Sequence, residues 1–264
     1  MITKIFYYSG TGNSLSVARK IAVGLETAEL VSIPKVINED INTEADAVGF
    51  VFPVYGWGLP QIVKDFIDRL SLSQVQYIFA VVTCAGTQGG TLIQLKKILQ
   101  SKKCDLHAGF SVKENSYSPM KQVPIEKFVI WLNRKSRPLP IEDRLPEILS
   151  TIKQRHLHEP EIGSSFAAWL GTTILHDSVL QELRKYGKDF YVDNKCNHCG
   201  TCVKVCPRKN IQKENDSIIW KGNCELCFAC LNWCPQKAIW LKDELLPQRR
   251  SHHPEIKISD IINE

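Results

Sequence analysis

The sequence predicts an α/β protein: a doubly wound parallel sheet of five strands, followed by a small α+β module rich in cysteine. Strand-like apolar runs alternate with helical patterns, a loop of small residues follows the first run, and a four-cysteine phrase occurs twice near the C-terminal end. With 264 residues, 44% of them hydrophobic, the chain can build one sizeable core and a small second module. We expect a sheet domain over 1–158, a helical connector over 159–189, the cysteine module over 190–247 and a tail over 248–264.

The elements of the sheet domain follow from the spacing of apolar residues. Near-continuous apolar runs indicate strands buried on both faces, and apolar residues three or four positions apart indicate helices that bury one stripe. Such stripes begin at Leu15, after Pro60 and at Leu92, and two more at 145–152 and 175–186 lie in a proline-punctuated segment. The strand-like runs are 2–8, 28–33, 47–53, 77–83 and 105–112. No apolar run approaches the length of a membrane span, so we expect no membrane partner.

The cysteine phrase Cys-x-x-Cys-x-x-Cys-x-x-x-Cys-Pro is a repeat displaced by 28 residues, which also superimposes Lys209 on Lys237 and Ile211 on Ile239. Three thiolates two residues apart can ligate three corners of a cubane of four irons and four sulfides. In runs of this kind the cysteine before the proline ligates the other cluster. This assigns Cys196, Cys199, Cys202 and Cys234 to cluster one, and Cys224, Cys227, Cys230 and Cys206 to cluster two.

Zinc is an alternative, because paired Cys-x-x-Cys motifs also bind zinc through four ligands. A third cysteine at the same interval and a closing Cys-Pro favour iron–sulfur clusters. Disulfides would require an extracellular setting, whereas the sequence enters a strand-like run directly after Met1 without a secretory signal. We therefore expect reduced cysteines in the cytoplasm. The two remaining thiols, Cys84 and Cys104, are expected to be inert packing groups.

The two cysteine phrases make residues 190–245 resemble a bacterial-type ferredoxin with two 4Fe-4S clusters.

A second motif follows the first strand-like run, where small residues lead directly into a helix. Unpaired backbone N–H groups and the positive end of the helix dipole make such a loop an anion site. The loop lacks the lysine of nucleotide-triphosphatase loops, and Leu15 replaces the third glycine of the dinucleotide fingerprint. Its residues are Ser9, Gly10, Thr11, Gly12, Asn13 and Ser14.

This loop resembles the Ser/Thr-x-Thr-Gly-x-Thr/Ser loop with which flavodoxins hold the phosphate of FMN. The resemblance implies a flavodoxin-like, FMN-binding domain over 1–158, with flavin contacts from two further loops at the carboxyl ends of strands. Tyr55 or Trp57 would stack on the flavin, although aromatic residues there also serve as rim packing and glycines also serve turns. The candidates are Pro53, Val54, Tyr55, Gly56 and Trp57 in the second loop, and Thr83, Cys84, Ala85, Gly86 and Gly89 in the third.

Over its whole length the chain resembles the fused flavodoxin-like and ferredoxin proteins of anaerobic microbes, on the phrase Tyr8–Ser14 and the paired cysteine runs. The resemblance implies FMN and two 4Fe-4S clusters, in a cytoplasmic protein that relays single electrons between clusters, flavin and a redox partner. Alternatives are a flavin-dependent reductase of a small acceptor, such as a quinone or nitro compound, and an iron–sulfur redox sensor. The sequence presents no acid–base dyad or nucleophile, so we predict no catalytic side chain.

The net charge of +5 does not indicate a nucleic-acid partner. Two oxidised clusters with their thiolates carry roughly −2 each, and an FMN phosphate adds up to about −2, so the cofactors offset the basic excess. The short basic group Arg249, Arg250, His252 and His253 is too small for a nucleic-acid patch. We expect the tail that carries it to be solvated.

Overall fold

A computed structural model of the chain describes residues 2–39, 41, 43–115, 137–163, 186–242 and 250–262. Its first part is a sheet of five parallel strands in the order β2-β1-β3-β4-β5. This is the flavodoxin-like doubly wound order, and it confirms the predicted fold class. The strands are β1 Thr3–Tyr7, β2 Ala28–Ser32, β3 Ala47–Pro53, β4 Tyr77–Cys84 and β5 Ala108–Lys113.

Helices cover both faces of this sheet, as the continuous burial of β4 requires. On one face Phe66 and Leu95 pack in the larger core, and on the other Ile21 and Ile148 pack in the second. The stripe predicted over 145–152 is confirmed as part of a helix, whereas the one over 175–186 lies almost entirely outside the described residues. The helices are α1 Asn13–Leu25, α2 Ile33–Val36, α3 Gln61–Arg69, α4 Thr91–Ser101 and α5 Ile141–Lys153.

The chain after α5 runs back along the edge strand β5. Gly109 N donates to His158 O at 3.3 Å, and Glu161 N donates to Gly109 O at 3.2 Å. A further bond joins Gly163 N to Gly89 O at 3.2 Å. The sheet domain therefore continues to at least Gly163, past the boundary expected at 158.

The cysteine module is an α+β unit of two antiparallel strand pairs and two one-turn helices. Strand β6 pairs with β9, and β7 pairs with β8. A 3₁₀ turn, Tyr186–Lys188, leads into it. The elements are β6 Phe190–Val192, α6 Thr201–Lys204, β7 Ile211–Glu214, β8 Ser217–Trp220, α7 Ala229–Asn232 and β9 Ile239–Leu241.

The internal repeat of the sequence is also a repeat of backbone conformation. A displacement of 28 residues places α6 on α7. It also pairs the left-handed residues His198 (φ 55°) with Leu226 (φ 52°), and Lys209 (φ 48°) with Lys237 (φ 49°). A left-handed φ is unfavourable for such side chains, so each cysteine run holds the same strained turns.

The tail packs against both domains, and the expectation that it is solvated is wrong. Its helix α8, Ile258–Ile261, follows a loop in which Ile256 is buried. Ile256 and Ile261 join a small core with Leu15 of α1 and Trp233 of the cysteine module. Apolar burial by these isoleucines outweighs the solvation of the basic residues before them. Among the described residues, no helix is long and apolar enough to cross a membrane.

Candidate cofactor sites

The eight cysteines of the two runs line two separate cavities. The first holds about 310 Å³ of empty space and the second about 320 Å³, and both are partly open to solvent. Each cavity takes three cysteines from one run and the cysteine before the proline from the other. Cavity one contains Cys196, Cys199, Cys202 and Cys234, and cavity two contains Cys224, Cys227, Cys230 and Cys206.

The four cysteines of each set line one cavity. Among the described residues, which include all eight of these cysteines, no three His, Cys, Asp or Glu side chains come together as ligands of a single ion. A zinc ion draws its four thiolates to about 2.3 Å from one centre. A cubane cluster instead separates the ligands at its corners, which matches the observed arrangement.

Both cavities supply hydrogen bonds that favour thiolate sulfur. Asn210 N donates to Cys206 Sγ at 3.2 Å, and Ala238 N donates to Cys234 Sγ at 3.4 Å. Burial raises the pKa of Cys202 and of Cys224 to about 11. Ligation takes the deprotonated thiol, so bound iron supplies the positive charge that offsets this desolvation.

The phosphate-loop candidate connects the end of β1 to the N-terminus of α1. Gly12 has φ +97°, a left-handed conformation suited to glycine, and its N–H donates to Ser9 Oγ at 3.1 Å. Ser14 is buried, and its hydroxyl lies 2.8 Å from that of Thr83 in the third loop. The N–H groups of the first helical turn have no partner within the helix. Hydroxyls and amides thus converge where an anionic group can bind.

The second loop is a tight turn whose ends are joined by two hydrogen bonds. Tyr55 N donates to Gly58 O and Gly58 N donates to Tyr55 O, both at 3.0 Å. Gly56 and Trp57 between them have φ 52° and 64°. A left-handed tryptophan is strained, and such strain is found at ligand sites.

The second and third loops touch each other. A Cβ on Gly89 would lie 2.8 Å from Trp57 O, so only glycine permits this approach. Trp57 is 9% exposed, whereas the ring of Tyr55 meets that of Tyr8 edge-on at 6.1 Å. Of the two stacking candidates, Tyr55 therefore lies toward the cysteine module and Trp57 toward the third loop.

The third loop contains a polar residue that sequence reasoning missed. Gln88 is 3% exposed, and its Oε1 has no hydrogen-bond partner within the described part of the chain. A buried acceptor of this kind suits an N–H of a ligand. In the same loop, burial raises the pKa of Cys84 to about 12, which agrees with its interpretation as an unreactive thiol.

The phosphate-loop candidate is in direct contact with cavity two. A Cβ on Gly10 would lie 2.7 Å from Cys227 O and 2.9 Å from Cys227 Cβ. Trp233 Nε1 donates to Gly10 O at 3.0 Å. Arg208 bridges the domains, because its guanidinium lies 2.7 Å from Asp65 of α3 and also binds Glu225 of the second cysteine run.

The tail covers the other side of the same loop. His253 N donates to Thr11 O at 2.9 Å, and Ile256 lies against Gly12. Arg19 of α1 pairs with Asp260 of α8 at 2.7 Å. The loop is thus enclosed between the cysteine module and the tail, an arrangement that the sequence did not predict.

Family comparisons agree with the geometry of both sites. A model described as a flavodoxin domain matches residues 4–129, and a model described as a 4Fe-4S dicluster domain matches residues 195–239. The chain therefore joins a flavodoxin domain to a 4Fe-4S dicluster domain. Its cofactors are accordingly FMN and two 4Fe-4S clusters, and the hydroxyl-rich loop and the two cysteine cavities are chemically suited to them. This iron–sulfur flavoprotein takes part in electron transfer.

No curated protein has significant sequence similarity to this flavodoxin–ferredoxin. Among solved structures, a flavodoxin from the domain Archaea has 16% identity over 46% of this chain and 87% of its own, with a TM-score of 0.36. The two-electron reduced flavodoxin of Megasphaera elsdenii has 17% identity over 42% and 85%, with a TM-score of 0.34. Rubredoxin oxygen:oxidoreductase from Desulfovibrio gigas has 16% identity over 48% and 33%, with a TM-score of 0.34.

Proposed function

We propose that the protein relays single electrons between a redox partner protein and FMN through its two clusters, in the order partner, cluster one, cluster two, FMN, or the reverse. The contact between Gly10 and Cys227 carries this proposal, because it joins the loop that would hold FMN to a ligand of cluster two. FMN exchanges one or two electrons whereas each cluster exchanges one, so the assembly converts between the two modes.

The proposed ligands follow the cavities. Cys196, Cys199, Cys202 and Cys234 hold cluster one, and the remaining four cysteines of the runs hold cluster two. The loop Ser9–Ser14 binds the FMN phosphate, and the second and third loops contact the flavin ring. Thiolate ligands require a reducing compartment, and we propose the cytoplasm.

The outer end of the relay is at cluster one. Cys199 is exposed, whereas Cys230 and Cys206 are buried. Lys213 Nζ donates to His198 O at 3.1 Å beside this exposed thiol, and exposed Lys195 precedes the run. Positive charge at this rim attracts a partner with an acidic docking surface and raises its rate of association.

Cofactor content tests the two-site arrangement. Protein purified without oxygen is expected to contain about one FMN and eight irons per chain. Thr11→Ala should reduce the FMN content, because it removes a hydroxyl from the phosphate loop, and should leave the iron content unchanged. Ser101→Ala, which removes an exposed hydroxyl at the end of α4, is the matched control and should change neither. Equal loss of both cofactors in Thr11→Ala would contradict separate sites.

Rapid mixing with a one-electron protein donor tests the order of the relay. FMN-depleted Thr11→Ala protein should accept electrons into its clusters at the rate of the full protein. If FMN-depleted protein accepts none, electrons enter at the flavin and the proposed order is wrong. Turnover of a quinone or nitro compound far faster than exchange with any protein donor would favour the reductase.

A further inference from the structure

Three buried donors beside cavity two have no hydrogen-bond partner among the residues that the structure describes: the hydroxyl of Tyr8, Nε1 of Trp220 and Nδ2 of Asn210. Buried N–H and O–H groups are nearly always paired, so each needs an acceptor. Two of the three residues, Trp220 and Asn210, line the cavity itself. The third belongs to the flavodoxin domain.

Tyr8 reaches the cluster site from the flavodoxin side of the domain contact. It is 0% exposed and directly precedes the phosphate loop, whose Gly10 touches Cys227. Cys227 packs against the apolar cluster that contains Tyr8. Tyr8 therefore lies beside cavity two, on the side that faces the flavodoxin domain.

The two donors of the ferredoxin domain are held rigidly. The ring of Trp220 stacks on Phe190 with centroids 5.7 Å apart and 14° between planes. Asn210 already donates its backbone N–H to Cys206 Sγ, and its Oδ1 accepts from Asn223 N at 2.7 Å. Its side-chain Nδ2 therefore remains available to donate a hydrogen bond.

The internal repeat supplies a comparison within the same domain. Displaced by 28 residues, Trp220 corresponds to Val192 and Asn210 to Ala238, neither of which has a side-chain donor. Val192 lines cavity one where Trp220 lines cavity two. Among the described residues that line cavity one, a single buried nitrogen, Nδ1 of His198, has no partner. The extra donors therefore distinguish two sites built from identical cysteine runs.

We propose that Tyr8, Trp220 and Asn210 donate hydrogen bonds to the sulfur atoms of cluster two and thereby raise its reduction potential, Tyr8 doing so from the flavodoxin domain. This inference rests on the ligand assignment under the proposed function. Reduction adds one negative charge to the cluster, and donors aimed at its sulfurs stabilise the more negative state. Because Tyr8 lies across the domain contact, the potential depends on docking, and by linkage reduction strengthens docking.

A potentiometric titration of the complete protein, with each cluster followed by its electron paramagnetic resonance signal, tests this. Tyr8→Phe removes only the hydroxyl and should lower the equilibrium constant for reducing cluster two about tenfold, which is about 59 mV for one electron. Trp220→Phe should also lower the equilibrium constant for reducing cluster two. Tyr77→Phe is the control, because that buried hydroxyl donates to His156 O, and neither cluster should shift. Cluster one should keep its potential in all three variants.

The outcomes separate this inference from the relay itself. Tyr8→Phe and Trp220→Phe proteins with full iron content and an unchanged cluster-two potential would overturn the hydrogen bonds and leave the relay standing. A shift in cluster one instead of cluster two would overturn the assignment of ligands to cavities. If Tyr8→Phe fails to fold, Trp220→Phe decides the matter, because its residue lies in the ferredoxin domain alone.

Discussion

The two cluster sites of this flavodoxin–ferredoxin share one cysteine spacing and differ in almost everything around it. Cavity one has the exposed Cys199 at its rim, whereas cavity two has the buried Cys230 and lies against the phosphate loop. The difference arises outside the cysteine runs, from Val192 opposite Trp220 and from the docked flavodoxin domain. Two sets of cysteine ligands with the same spacing can thus have different roles, because the residues around each set differ.

The largest expected effect comes from removing the ligand that each run contributes to the other cavity. Cys206→Ala should eliminate cluster two, and Cys234→Ala should eliminate cluster one, each lowering the iron content to about half. Iron analysis and electron paramagnetic resonance distinguish them. Cluster two, which remains in Cys234→Ala, should resist chelators longer than cluster one, which remains in Cys206→Ala, because cluster two is buried. Loss of cluster one in Cys206→Ala would break the crossed arrangement.

An intermediate effect is expected at the contact that makes cavity two the inner site. Gly10→Ala places a Cβ 2.7 Å from Cys227 O, and backbone on both sides leaves little room for adjustment. We expect a loss of about 1–3 kcal/mol in the free energy of unfolding and slower electron exchange between cluster two and FMN. Thermal unfolding and rapid-mixing kinetics measure these.

Gly222→Ala is the matched control for that substitution. Gly222 also lies in a loop, and a Cβ there has no heavy atom within 4 Å. Both quantities should stay at the wild-type values. If Gly10→Ala behaves like the control, the two domains are not held together by this contact, and cavity two is no more an inner site than cavity one.

The smallest effect concerns the tail that covers the phosphate loop. Asp260→Asn should cost about 0.2–1 kcal/mol, because the Arg19–Asp260 pair is partly exposed. The hydrogen bond from Arg19 lowers the pKa of Asp260 below 3.8. The ion pair therefore contributes its full stabilisation above pH 3.8, and this contribution is lost as pH falls through the lowered pKa of Asp260 in the folded protein.

Chemical unfolding of wild type and Asp260→Asn at several pH values measures this dependence. The difference in free energy of unfolding should be constant between pH 6 and 8. A difference that changes across that range would mean that another group, such as His253, controls the tail.

The features that depend on local sequence pattern could be predicted from the sequence. The apolar runs gave the five strands, and the strand end followed by small residues located the phosphate-loop candidate. The fifth strand was expected over 105–112 and lies at Ala108–Lys113, because pairing with β4 begins at Ala108 although Leu106 is already buried.

The features that the sequence did not reveal depend on contacts between distant segments. Tyr8 fitted the pattern of a buried strand residue, and Cys227, which packs against the same apolar cluster, belongs to the other domain. Gln88 lay among turn residues with no periodicity to mark it. The tail did carry apolar residues at the spacing of a packed segment, since Ile256, Ile258 and Ile261 recur at intervals of two and three. The basic residues before them led instead to the prediction of a solvated tail.

The crossing of the tail over the phosphate loop has a consequence for synthesis of the protein. Domains fold as they leave the ribosome, the N-terminal one first. The bond from His253 to Thr11 joins segments at opposite ends of the chain, and contacts of such separation form late. During translation the loop therefore stays open after its own sheet has formed, which leaves it accessible to FMN before Ile256 closes over Gly12.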